Sequence, residues 1–142
     1  MKETEIVVAH GHELVQSTHR TTMEITRDET LTRRGDCIIA VGADKGASDL
    51  SWRFKELAKR KDAEIVVVIE AGGLREVVRA MGDPRLTFTH PRDLVIRRSN
   101  YVCGRTVAVN ADKAAKDLSR DLVNLLRDSN RIVRVILTVK VP

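Results

Sequence analysis

Ala40-Val41-Gly42-Ala43-Asp44-Lys45-Gly46-Ala47-Ser48-Asp49-Leu50-Ser51 returns later in the chain as Ala108-Val109-Asn110-Ala111-Asp112-Lys113-Ala114-Ala115-Lys116-Asp117-Leu118-Ser119. Nine of the twelve positions are identical, at a constant offset of 68. Upstream the match continues at a slightly larger offset: Thr18-His19 and then Ile25 correspond to Thr89-His90 and then Ile96. The start of the chain, Glu5-Ile6-Val7-Val8, is similar to Glu64-Ile65-Val66-Val67. Such self-similarity means one supersecondary unit used twice. The period is too long for a solenoid, so the expected architecture is one domain, residues 1–142. Its two pseudo-repeats would be residues 5–63 and 64–130, followed by a C-terminal strand.

Each repeat reads as strand, polar loop, strand, strand, helix. Ile6-Val7-Val8 opens the first, Thr22-Met23-Glu24-Ile25-Thr26 alternates as a half-buried strand does, and Cys37 to Val41 is a short apolar run. The second repeats the order through Ile65–Ile69, Leu94–Ile96 and Thr106–Val109, and Ile132–Val141 closes the chain. Helices are expected after Asp44-Lys45 and Asp112-Lys113. Ala47, Leu50, Phe54, Leu57 and Ala58 form one helical face, and adding 68 gives Ala115, Leu118, Leu122, Leu125 and Leu126, all apolar. The spacing of Leu74, Val77, Val78 and Met81 predicts a further short helix ended by Gly82 and Pro84. The fold class is therefore α+β and mainly β. Duplicated β-β-β-α units would form a jelly-roll-like β-sandwich of antiparallel sheets, or a distorted barrel, with two main helices packed on it.

A chain of 142 residues can bury a sizeable core without staples. Two cysteines, Cys37 and Cys103, make no disulfide framework and no CxxC spacing. The charged start and the lack of any long apolar run point to a cytoplasmic protein with no membrane span. The net charge of +5 makes acidic partners such as nucleic acid or a nucleotide plausible. One Trp, one Tyr and two Phe provide no stacking platform for single strands. A homo-oligomer is compatible with this composition.

The densest polar stretch runs from His12 to Glu24. His10 and His12 fall on one side of an extended strand, and with His19 they could ligate a divalent metal. His12, His19, Glu24 and Asp36 are the candidate catalytic groups, since imidazole and carboxylate exchange protons near working pH. Arg20, Thr21, Lys45, Arg97, Arg98 and Lys113 are the candidate ligand-binding groups, Arg offering a bidentate fork to an anion. The bland alternatives are specific. The repeated Thr-His can be a local cap of backbone groups. Asp44 and Asp112 stand where a helix N-cap belongs. Lys45 and Lys113 oppose the helix dipole, and each has an acid four residues on, Asp49 and Asp117. Cys37 beside a buried strand reads as a small hydrophobe. No Walker loop, GxGxxG or GxSxG occurs.

Gly11-His12, the run Thr18 to Thr26, Arg34-Gly35-Asp36-Cys37-Ile38 and Ala43-Asp44-Lys45 together resemble a small archaeal family, domain of unknown function 371. Glu70-Ala71-Gly72-Gly73, Arg97-Arg98-Ser99 and Asn110-Ala111-Asp112-Lys113 fit it as well. The resemblance implies an archaeal, cytoplasmic source and a mainly β, jelly-roll-like sandwich, and it transfers no catalytic role. On the residues, the leading expectation is a protein that binds, and could hydrolyse, a phosphate-bearing ligand (nucleotide or nucleic acid) at a His/Arg/Lys-lined site. The alternatives are a non-catalytic interaction module whose repeated polar motifs are structural, and a metal-dependent hydrolase or nuclease.

Overall fold

The computed structural model describes residues 1–142. Alternation builds its first sheet. In β1 (Lys2–His10), Glu5, Val7 and Ala9 are buried while Thr4, Ile6 and Val8 face solvent. The same period of two runs through β4 (Glu64–Ala71) and β8 (Ile132–Lys140). With β5 (Leu74–Met81) these form an antiparallel sheet in the order β1-β8-β4-β5. The helix expected at Leu74–Met81 is thus a strand. Gly72 and Gly73 have φ of 54° and 83°, and that pair of left-handed residues makes the two-residue turn that folds β5 back on β4. The spacing of Leu74, Val77, Val78 and Met81 fits a helix, but the adjacent Val77 and Val78 favour the pleated surface.

The second sheet has the order β3-β2-β6-β7. Its centre is the antiparallel pair β2 (Thr22–Thr26) and β6 (Asp93–Arg97). The three-residue strands β3 (Ile38–Ala40) and β7 (Thr106–Ala108) flank them, each parallel to its neighbour. The expectation of purely antiparallel sheets fails here. After β2 the chain loops over residues 27–37 and re-enters at the same end, which parallel pairing requires. Each sheet keeps two edge strands, so no closed barrel forms.

Two helices complete a mainly β molecule: α1 (Trp52–Ala58) and α2 (Arg120–Leu126), each preceded by a 3₁₀ turn at Ala47–Asp49 and Ala115–Asp117. Their start signals are Ser51 and Ser119, whose hydroxyls accept the amides of Phe54 and Leu122 at 3.1 and 3.2 Å. Asp44 and Asp112 are not caps, contrary to expectation. Asp44 accepts the amide of Val8 on β1, and Asp112 that of Arg79 on β5, both at 3.0 Å, so they tie the helix-entry loops to sheet edges. The expected apolar faces are buried, apart from half-buried Leu125. They join one core of 39 residues drawn from both sheets and both helices. Phe54 and Phe88 meet edge to face there, centroids 6.3 Å apart.

Matched positions recur along the chain. Left-handed backbone occurs at Ser17 and Phe88, and again at Gly42 and Asn110, pairs separated by the offsets 71 and 68. A side chain at Gly11 would meet the carbonyl of Leu126, and one at Gly82 that of Ala58. The isolated bridge His10–Val41 has its counterpart in Met81–Val109. β1 and β5 thus make similar contacts, and Glu5 and Glu76 stand at the same offset of 71.

Candidate functional site

The repeated Ala-Asp-Lys forms two clasps. Lys45 Nζ donates to Glu5 Oε2 at 2.8 Å, and Glu5 Oε1 accepts the amide of Ser51 at 2.9 Å. Lys113 Nζ donates to Glu76 Oε2 at 2.9 Å, and Glu76 Oε1 accepts the amide of Ser119 at 2.7 Å. Burial works against both carboxylates, yet the lysine and the helix-start amide outweigh it and hold each below the ordinary value. The lysines do not pair with Asp49 and Asp117, as the spacing had suggested. Those aspartates accept the amides of Gly46 and Ala114, and they pair with Arg27 and Arg98.

His19 and His90 perform matching local tasks. His19 Nδ1 accepts the amides of Thr21 and Thr22, and His90 Nδ1 those of Arg92 and Asp93. Each imidazole thereby caps the start of a central strand and keeps its proton on Nε2 when neutral. The carbonyl of His19 accepts from Lys116, and that of His90 from Ser48, so each loop is fastened to the other helix-entry segment.

The other predicted groups disperse. His12 Nδ1 accepts the amide of Leu14, and its own amide donates to Leu126 at the end of α2. His10 lies between Glu29 and the Gly11 carbonyl, and these, against burial, raise its pKa. His10, His12 and His19 do not converge, and no group of three His, Cys, Asp or Glu side chains is placed to hold a metal ion. Asp36 contributes its backbone carbonyl to Thr18 and His19. Arg20 is exposed without a protein partner, and Thr21 accepts the amide of Arg98.

Glu24 is different. It lies at the centre of β2, on the face turned away from the core side chains Met23 and Ile25, and is 7% exposed. Beside it on the neighbouring strand is Asp93, 8% exposed, whose Oδ1 accepts from the Thr26 hydroxyl at 2.8 Å. One cation serves both acids: Arg105 Nη1 lies 3.3 Å from Glu24 Oε1 and 3.4 Å from Asp93 Oδ2. His90 Nε2 faces Asp93 at 3.8 Å, too long for a hydrogen bond. Burial and the charge of Asp93 push the Glu24 carboxyl up to about 7, against the pull of Arg105 and Arg97. Glu24 Oε2 has no protein partner, yet it is not sealed from solvent.

The two thiols border this cluster and differ. Cys37 Sγ lies 4.0 Å from Glu24 Oε1, and burial with the charges of Glu24 and Asp36 pushes it up to about 11. Cys103 is lowered instead. Burial opposes that, but the Arg105 amide, the Thr106 hydroxyl and Arg97 outweigh it. Arg97 spans from the Thr106 hydroxyl, 2.9 Å, to Cys103 Sγ, 3.4 Å, and its guanidinium lies 4.8 Å from the centre of the exposed Tyr101 ring. None of the molecule's surface cavities overlaps the cluster; the roomiest, about 370 Å³, lies between Arg33 and Arg127.

Of the sequence candidates, the structure brings Glu24 and Arg97 to this cluster. Asp93, Arg105, His90 and Tyr101 were not singled out for it. Asp93 is 69 positions from Glu24, and only the pairing of Thr26 with Asp93 across β2 and β6 joins them.

The family model for a domain of unknown function, DUF371, matches residues 7–140. The chain belongs to the DUF371 family. It is 43% identical over 128 residues to an uncharacterized protein of Methanocaldococcus jannaschii, an alignment covering 90% of this chain and 94% of that relative. In this DUF371 protein no helix is long and apolar enough to cross a membrane.

Proposed function

We propose that this DUF371 chain binds a phosphate-bearing ligand of the nucleotide class over the second sheet, with Glu24 exchanging a proton with it. The observation that carries the reading is Glu24 itself: a carboxyl in the middle of a sheet, raised to about 7, with one oxygen engaged by Arg105 and the other open. A group poised near neutrality serves as a general acid or base. Arg105, 41% exposed, and Arg97 supply positive charge for the phosphate. Tyr101 beside Arg97 offers a flat face to a base. On this reading Lys45, Lys113, His12 and His19 are structural.

The matched clasps, matched left-handed residues and matched strand caps support a duplicated unit in a single domain, joined near the Gly72-Gly73 turn. The single core shared by both sheets supports a sandwich-like arrangement. Glu24 then corresponds to Val95 and Arg105 to Cys37, so the cluster belongs to neither unit alone.

Calorimetric titration with nucleoside mono-, di- and triphosphates on either side of neutrality tests the binding. Below pH 7 a protonated Glu24 no longer opposes the phosphate, so affinity rises on acidification, and Glu24→Gln removes most of that dependence. Absence of binding by the wild type at both pH values overturns the reading.

A further inference from the structure

The face of the first sheet turned away from the core is covered by no element, and none of its residues is buried. Strand register arranges it in rows. Ile6, Ile136, Val68 and Val77 form a continuous apolar row across all four strands. One row to one side, Arg134 of β8 stands beside Glu70 of β4; two rows to the other side, Lys140 stands beside Glu64. A β-branched row of this kind on a solvent-facing surface is a contact waiting for a partner.

We infer that this face is the interface between two copies of the chain, packed sheet on sheet about a twofold axis that runs along the strands between β8 and β4. The register makes the face complementary to itself about that axis. Rotation exchanges β8 with β4 and β1 with β5. Ile136 then meets the partner's Val68, and Ile6 meets the partner's Val77. In the same operation Arg134 meets the partner's Glu70, and Lys140 meets the partner's Glu64, each with its reciprocal. No row sets like charge on like. A twofold axis along the rows fails this test, because it sets Arg75 on the partner's Arg79. Within one copy Glu70 lies 4.0 Å from Arg134 and 3.7 Å from Arg75, both beyond hydrogen-bond reach, so a cation of the partner can approach it more closely.

The size suffices. Four strands of about eight residues outline roughly 19 by 26 Å. Two such faces bury on the order of 1,000 Å², where specific interfaces begin. Aligned packing of twisted sheets crosses them by about 30°, and the charged pairs on the two central strands stay near the axis.

Analytical ultracentrifugation of the full chain tests the inference. The wild type is expected at twice the 15.9 kDa of one chain. Ile136→Lys, which places a charge against the partner's Val68, should raise the dimer dissociation constant about 100-fold. Glu70→Arg should do likewise, and mixing Glu70→Arg chains with Arg134→Glu chains should restore a dimer, a rescue between chains that a folding defect within one chain cannot produce. A wild type that stays at the mass of one chain, or a dimer that survives Ile136→Lys, overturns the inference.

Discussion

The two clasps and the Glu24 cluster use the same residue types to opposite ends. Glu5 and Glu76 each hold a lysine and a helix-start amide, and their carboxyls are held low. Glu24 shares one half-exposed arginine with a second acid, and its carboxyl is pushed up to about 7. The clasps occur twice with the same kinds of partner; the cluster occurs once, with Val95 and Cys37 at the offsets of 71 and 68 from Glu24 and Arg105. Repeated polar groups that satisfy one another hold the fold together. The unmatched and under-compensated group is where a ligand has something to gain.

The two regions should respond oppositely to pH. A carboxyl raised on folding costs stability above its unfolded value, because the folded state holds a proton that the unfolded state has released. With Glu24 at 4.5 unfolded and about 7 folded, denaturation should show about 3 kcal/mol of stability lost as pH rises through that window. Glu24→Gln removes the loss, so the variant is more stable than the wild type at pH 8 and nearly equal to it at pH 4.5. A wild-type stability that is flat between those values breaks the contrast.

The clasps behave the other way. Carboxyls lowered on folding stabilise above their unfolded value and lose that contribution as pH falls through the folded one. Glu5→Gln should therefore cost about 2 kcal/mol at neutral pH and progressively less on acidification below 4.5. Glu76→Gln should follow the same profile with a smaller loss, since its side chain is more exposed, 16% against 10%. Urea midpoints of the two variants at several pH values check this. Equal losses at all pH values would mean that lost packing, not charge, sets the cost.

Much of the frame was legible in the chain. The helical stripe from Ala47 to Ala58 and its copy mark faces that the structure buries, because a period of 3.6 is a direct signature of one-sided burial. The roles of single polar residues were less legible. Asp44 looks like a cap in sequence, but Ser51, seven positions on, caps the helix, because a 3₁₀ turn intervenes. The lysines found glutamates on other strands, 40 and 37 positions away, where helical spacing pointed to acids four positions on. β5 carried its own hairpin signal in Gly72-Gly73, which the coincidental helical spacing masked. Of the Glu24 cluster, Glu24 and Arg97 were visible as candidates. Their partners depend on the pairing of β2 with β6, a contact between distant segments that composition and local spacing do not encode.

Glu24 should titrate near neutrality while the clasp carboxyls do not. A ¹³C-detected NMR titration of the glutamate side-chain carboxyls measures this directly. One glutamate, absent from the spectrum of Glu24→Gln, should show a midpoint of about 7, with Glu5 and Glu76 below 4.5. A Glu24 midpoint at the ordinary value of 4.5 would contradict this contrast.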